Sequence, residues 1–526
     1  MEAFFQMTNY VLNIPPSVFS LNFEEKMKNG LHILLLLLVV QSVFAQKVTN
    51  KRPNIVMILA DDLGWADLTC YGSPFYETPN LDKLAQQGIR FTNGYAACPV
   101  CSPTRASLMT GKYPIKTDVT DWIKGRQADG KAKPFEKLIA QPFQYFLPLE
   151  EETIAEVALK NQYKTFFAGK WHLGDEEKYF PEAQGFQTNL GGTGAGSPKG
   201  YKNDSVGAFF PPYNNIRLKD GPKGEYLTDR LASDCLDFLD KNQSNPFFLM
   251  YSLYAVHNPL QAPADLVKKY KAKQKTLAFD DKKRFRKDEA WMKNEKDWRQ
   301  RTVQDNAIYA AMIENMDANV GRILKKLSDL GLDDNTIVVF TSDNGGLSTA
   351  EGSPTVNGDL RAGKGWLYEG GIKVPTIMRW TNQIKAGQVS DIPLSTIDFF
   401  PTFEKAMNNK SVIDKAIDGS NIIDLLKNEQ KSKQRTLFWH YPHYSNQGGK
   451  PGAAMVQGDY KLILNYEDNS LELYDIKHDI GEKNNLSVSE KARAKRYKKA
   501  LDKWLAANHA KFPVGNAAYN AALKEE

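Results

Sequence analysis

The sequence predicts an α/β fold: a large mixed, mostly parallel sheet sandwiched by helices, followed by a small C-terminal antiparallel-sheet subdomain with one helix. Three observations carry this. Continuous apolar runs stand at 54–60, 246–252 and 336–341, with a shorter one at 165–168; runs without polar alternation mark strands buried on both faces. Helical patterns lie between them, at 81–88, 102–110, 153–161, 228–241 and 303–330, and strands alternating with helices imply helices on both faces of one sheet. After about Leu426 the character changes to short strands separated by turns, at 435–440, 453–457, 460–464 and 471–474, closed by a charged helix at 489–509.

The first residues read as processing signals and not as fold. Met27-Lys28 opens a short basic region, 31–40 is a leucine-rich apolar run, and Val43-Phe44-Ala45 has the small-residue pattern of a cleavage site before Gln46. A ten-residue run, nine of its residues apolar, is too short for a helix to cross a bilayer core of ~30 Å, so a signal peptide is preferred over an anchor or a buried helix. The expected organisation is therefore a mis-assigned extension at 1–26, a signal peptide at 27–45, a catalytic domain at 46–425 and a C-terminal subdomain at 426–526. Export follows, with the periplasm as first expectation and the medium as second. No stable membrane insertion is expected, and no cysteine stands at the cleavage point to carry lipid.

With 42 % hydrophobic and 25 % charged residues the chain has an ordinary globular balance, and its net charge of +6 is slight for 526 residues. That charge permits an anionic substrate without pointing to nucleic acid, which is not expected as a partner. Cys70, Cys98, Cys101 and Cys235 are too sparse for a disulfide scaffold, and no pair is assignable. Cys98 and Cys101 form a C-x-x-C, yet no second pair follows at zinc spacing. The charged stretch 268–301, with Trp291 and Trp298, reads as a solvated helical excursion, or alternatively as a lid over an anionic chain. The glycine-rich 191–197 reads as a loop near the site, since it lacks the strand and the Gly-Lys-Ser of a phosphate cradle.

Polar clusters follow the carboxyl ends of the apolar runs: Asp61-Asp62, Lys170 with His172, His257, and Asp343-Asn344. Open α/β sheets build their sites at that edge. Two adjacent carboxylates converging without a cation would repel. With Asp343 and Asn344 they form an all-oxygen set that suits calcium or magnesium better than zinc. Either pair alone reads as well as a helix cap or a turn.

Cys101-Ser102-Pro103-Thr104-Arg105 shifts that balance. Its cysteine opens a predicted helix, near the positive end of the helix dipole, and Arg105 lies one turn on. The motif continues to Thr110-Gly111-Lys112. Further motifs occur in order: Ala60-Asp61-Asp62-Leu63-Gly64; Glu77-Thr78-Pro79-Asn80; Gly169-Lys170-Trp171-His172; Val256-His257-Asn258-Pro259; Ser342-Asp343-Asn344-Gly345; Gly363-Lys364-Gly365; and Leu473-Tyr474-Asp475. On these residues the chain resembles the type I, formylglycine-dependent sulfatases of the alkaline-phosphatase superfamily, over nearly all of the mature chain. The segment from Asp118 to Ile123 and the Trp439 block resemble sulfatases of marine polysaccharide degradation.

The resemblance implies an alkaline-phosphatase-like sheet and a definite chemistry. Cys101 would be oxidised to formylglycine (3-oxoalanine) by a maturation enzyme, and its hydrate would attack sulfur. One calcium ion would be held by Asp61, Asp62, residue 101, Asp343 and Asn344. Arg105, Lys170 and Lys364 would neutralise the sulfate oxygens, His257 would protonate the leaving alcohol, and His172 would hold or deprotonate the nucleophile. Lys170, His257 and Lys364 would thus touch substrate. His440 and His443, in the C-terminal subdomain, are weighed equally as sugar contacts and as packing residues. The expected substrate is a sulfated carbohydrate, an ulvan or a carrageenan-type galactan. The competing readings are a phosphodiesterase or phosphonate hydrolase of the same superfamily and an inactive carbohydrate-binding relative.

Overall fold

Residue alternation along the central strand explains the architecture. In β1 (Asn54–Ala60), Val56, Ile58 and Ala60 enter one apolar core, while Ile55, Met57 and Leu59 enter another. Both faces are dry, so the run needs no polar residue. The computed structural model describes residues 52–127, 130–198, 207–277, 279–287, 299–381, 383–407 and 417–523. The expected segments at 1–26 and 27–45, and Trp291 and Trp298, lie outside the described residues.

Among the described residues the main sheet has eight strands. After β1 come β2 (Ile89–Phe91), β3 (Lys164–Gly169), β4 (Thr188–Leu190), β5 (Phe247–Ser252), β6 (Thr336–Ser342), β7 (Thr376–Arg379) and β8 (Gln388–Ser390), in the spatial order β8-β2-β7-β6-β1-β5-β3-β4. Only β7 runs against its neighbours; β1 is parallel to β6 and β5, and β3 to β5 and β4. The sheet is mixed and mostly parallel, as the sequence predicts.

Helices α1 (Pro79–Gln87), α4 (Leu227–Asn242) and α5 (Ala307–Asp329) cover one face through Leu81, Leu231 and Met312. Helices α2 (Cys101–Thr110) and α3 (Ile154–Lys160) cover the other through Ala106, Met109 and Val157. The start of α3 is fixed by a capping box. The Thr153 hydroxyl accepts from the Glu156 amide, and the Glu156 side chain accepts from the Thr153 amide.

A second sheet is antiparallel throughout: β9 (Thr436–Tyr441), β10 (Gly452–Gln457), β11 (Tyr460–Asn465) and β12 (Leu471–Asp475), in that order. One face packs Leu437, Trp439 and Tyr474 with Tyr95 and Ile372 of the main body. The other packs Met455, Leu462 and Leu473 against Tyr497 and Leu501 of α6 (Lys491–Ala507). Among the described residues no helix is long and apolar enough to cross a membrane.

Candidate active site

Strand register assembles the site. The pairing Ala60↔Ser342 brings Asp61-Asp62 beside Asp343-Asn344, and Leu59↔Ser252 with Gly169↔Ser252 brings Lys170 to the same edge. His257 follows β5 by five residues. The turn after β1 is sharp: Asp62 has a φ of 59°, and its amide donates to Asp343 Oδ1 at 3.2 Å. Gly169 has a φ of 109°, and a Cβ there would lie 1.8 Å from the Ser252 carbonyl oxygen. Only glycine fits the bend that delivers Lys170.

Three carboxylates and three cations meet in this dry edge. Lys170 Nζ lies 2.8 Å from both oxygens of Asp61. Arg105 reaches back from the second turn of α2, its Nε donating to Asp343 Oδ2 at 2.9 Å and its Nη1 to the Lys170 carbonyl and to Ser252 Oγ, each at 2.8 Å. Lys364 Nζ donates to Asp62 Oδ2 at 2.8 Å and lies 3.3 Å from His257 Nε2. Burial raises Asp61 well above the ordinary carboxylate range, against the pull of Lys170. Burial also works on Asp62, but Lys364 and His257 outweigh it and lower its pKa.

Cys101 opens α2 and is buried. Its thiol, Asp61 and Asp62 offer ligand atoms within 4.8 Å of one another. Asn344 Nδ2 donates to Asp62 Oδ1 at 2.8 Å, while Asn344 Oδ1 is buried without a partner among the described residues. Carboxylates from two strand ends and an orphaned amide oxygen fit a hard divalent cation such as calcium. Burial pushes the Cys101 thiol up to about 11, although Lys170 and Lys364 oppose it. The encoded thiol is therefore protonated near neutrality and is a weak nucleophile.

Cys101, His172, His257 and Lys364 line a cavity of about 310 Å³, with Trp122, Ile123, Gly196, Ser197, Glu351, Asn446 and Gln447. His172 Nε2 donates to the Ile123 carbonyl at 2.9 Å, so Nδ1 carries the lone pair, and it is buried without a partner among the described residues. Burial and then Lys170 keep that ring neutral. His257 Nδ1 donates to the Asn258 carbonyl at 2.7 Å. Burial, then Lys364, drives His257 down to about 3 against the pull of Asp62.

Not every residue singled out in the sequence reaches this cavity. Arg105 and Lys170 lie behind it, on the carboxylates. His440 meets Tyr466 Oη at 2.7 Å, and His443 meets Thr120 Oγ1 at 2.9 Å; both are buried and neither is among the residues that line the cavity. His443 lies beside Asp121, which accepts from Tyr441 Oη and from the Trp122 amide. The glycine-rich loop does lie at the site: a Cβ on Gly196 would fall 2.6 Å from the His172 ring. Sequence reasoning missed Glu351, Asn446 and Gln447, which lie in irregular loops without periodic signal. Trp122 stood in a flagged segment but without a role.

Fold and site together define a hydrolase of the alkaline-phosphatase-like superfamily. The sulfatase profile matches residues 53–409, and the profile of the N-sulphoglucosamine sulphohydrolase C-terminal region matches 362–511. A sulfatase of Formosa agariphila is 31 % identical over 94 % of this chain and 96 % of its own. Human N-acetylgalactosamine-6-sulfatase is 31 % identical over 74 % of this chain and 68 % of its own. Among solved structures, Ps i-CgsB in complex with k-i-k-neocarrahexaose matches with a TM-score of 0.68 at 28 % identity, covering 88 % of this chain and 94 % of that one. A phosphonate monoester hydrolase of Agrobacterium radiobacter shares the fold, with a TM-score of 0.58 at 22 % identity, over 89 % of this chain and 97 % of that one. The chain belongs to the sulfatase family and is a sulfuric ester hydrolase.

Proposed function

We propose that this protein is exported and removes sulfate esters from a sulfated polysaccharide or its oligosaccharides. A carrageenan-type galactan is the first candidate and ulvan the second. In this reading one calcium ion is held by Asp61, Asp62, Asp343 and Asn344 beside residue 101, and a maturation enzyme oxidises Cys101 to formylglycine. The observation that carries the reading is the convergence of those oxygens with Cys101 at one buried strand edge. The calcium and the hydrated aldehyde would supply a charge for one sulfate oxygen and an acidified hydroxyl for attack on sulfur.

The chain's own residues then have separable tasks. With the divalent ion in place to keep Asp61 ionised, Asp61, Asp62 and Asp343 would bring three negative charges, and Arg105, Lys170 and Lys364 bring three positive ones. That balance is zero, so a divalent ion leaves two positive charges. A sulfate ester contributes one negative charge and a deprotonated nucleophile the other. A phosphate monoester dianion would overshoot; a phosphodiester or a phosphonate monoester carries the same single charge as a sulfate ester, and against those the family match favours sulfate. His172 Nδ1 is a neutral acceptor for the proton of the attacking hydroxyl. His257 is neutral at rest and shares its Nε2 with the Lys364 ammonium, whose pKa is raised above its ordinary value by Asp62 despite burial. With its single proton on Nδ1, given to the Asn258 carbonyl, His257 holds none on Nε2 at rest; the leaving alcohol takes the proton that Lys364 Nζ passes to Nε2, and the lysine is reprotonated from solvent. The galactan preference rests on the neocarrahexaose-bound neighbour.

The test is sulfate release from defined carrageenan and ulvan oligosaccharides by protein made with and without a maturation enzyme. Release only from matured protein, lost in Cys101→Ala, supports the reading. Equal release from unmatured protein refutes the formylglycine step, and release from neither oligosaccharide refutes the substrate class.

A further inference from the structure

The positive charge of the chain is not spread along it. Of the 68 lysines and arginines and 62 carboxylate side chains in the sequence, α6 (Lys491–Ala507) holds seven and one, Asp502 being its single acid. The rest of the sequence is left with 61 of each sign, so this one helix carries an excess equal to the whole net charge of +6.

The excess also lies on one side. Ala494, Tyr497, Leu501 and Leu505 are buried against the second sheet. At 3.6 residues per turn, Lys495, Arg496, Lys499 and Lys503 fall on the opposite side, and all four are exposed. Only alanines, Ala492, Ala500 and Ala506, stand among them. None of the four is ion-paired among the described residues. The ion pairs that α6 does make lie on its flanks, where Arg493 holds Glu490 and Lys498 holds Asp502 at 2.7 Å.

This charge pattern does not serve the helix. Lys491, Lys495, Lys499 and Lys503 stand four residues apart, and like charges at that spacing repel. Acids stabilise the first turn of a helix and cations the last, yet the first turn of α6 has no acid and its last turn no base. By contrast α5 sets Asp329 four residues after Lys325, at 2.7 Å, the mixed pairing of an ordinary solvated face. A row of cations that opposes its own helix points to an anionic partner. From Lys491 to Lys503 the row runs about 18 Å at 1.5 Å per residue, so a repeating polyanion engages it several times over where a lone anion cannot.

We propose that the outer face of α6 is a docking surface for the sulfated polysaccharide as a polymer, held through its sulfates by Lys495, Arg496, Lys499 and Lys503. The face is separate from the catalytic cavity, which no residue of α6 lines. It therefore raises the local concentration of substrate without taking part in the chemistry. The inference rests on the sulfated-carbohydrate reading above.

The test compares the matured enzyme with the triple variant Lys495→Glu, Lys499→Glu, Lys503→Glu and with the milder Lys495→Gln, Lys499→Gln, Lys503→Gln. The probes are polymeric carrageenan, the same polymer after chemical desulfation, and a sulfated disaccharide. The unsubstituted enzyme is expected to bind the sulfated polymer, more weakly as salt rises, and not the desulfated one. The glutamate set raises KM for the polymer by roughly tenfold and the glutamine set by less, while kcat and the KM for the disaccharide stay unchanged in both. An equal polymer KM in all three proteins overturns the proposal. So does a loss of binding to phosphatidylglycerol vesicles with the polymer KM unchanged, which would assign the face to a membrane surface. Hydrolysis of an aryl sulfate with no release from polymer or disaccharide overturns the carbohydrate reading and this proposal with it, and is distinguished by that pattern.

Discussion

His257 and Lys364 illustrate how burial decides a residue's role. An imidazole near 3 cannot be a standing acid at neutral pH, yet it lies 3.3 Å from an ammonium that is one. His257→Ala is therefore expected to lower kcat by roughly 10²–10⁴, with the larger loss on substrates having poor leaving groups. An equal loss on an activated aryl sulfate would contradict a proton-donor role. At the proposed calcium site, Asp343→Asn removes one carboxylate while leaving Arg105 buried without it. The prediction is a lowered calcium affinity, read by direct titration. An unchanged affinity would remove Asp343 from the ligand set.

Strands and turns show why parts of the fold were legible and others were not. β1 and β6 are seven-residue apolar runs flanked by polar turns, and the sequence marks β1 to the residue. β2, β4 and β8 have three residues each, too short for any period to register. β7, the reversed strand, has four residues directly after Pro375 and the helical turn Glu369–Ile372, and nothing local reports its direction. The site's strand-end residues were legible because each follows such a run. The pairing of Lys170 with Asp61, and the wall made by Trp122 and Gly196, depend on register and loop paths that no local pattern encodes. At this scale Gly169→Ala tests the bend before Lys170. It forces a Cβ onto the Ser252 carbonyl at a left-handed φ, and is expected to cost about 3 kcal/mol or more in stability. A denaturant titration that finds less than about 1 kcal/mol would show that the bend relaxes without cost.

The two sheets are joined by buried polar contacts as well as by apolar packing. Lys461 of β11 is fully buried between Glu369, at 3.1 Å, and Glu482, at 2.9 Å. Burial raises Glu482 to about 7, against Lys461, and Tyr95 Oη donates to Glu369 at 3.0 Å. Removing the ammonium leaves two carboxylates in the interior, so Lys461→Met is expected to destabilise the whole molecule by about 3–5 kcal/mol. A neutral effect would mean that one of them is already protonated. His440 gives stability a pH dependence of definite sign. Burial holds it at about 4, below its ordinary 6.5. The unfolded chain takes up its proton first, so stability present above pH 6.5 is lost as pH falls towards 4, and His440→Gln flattens that slope. The central claim concerns residue 101. The most direct measurement sets the converted fraction of Cys101, read by peptide mass, against the rate of sulfate release across preparations of differing maturation. The account predicts a rate proportional to conversion and passing through zero; a substantial rate at zero conversion would contradict it.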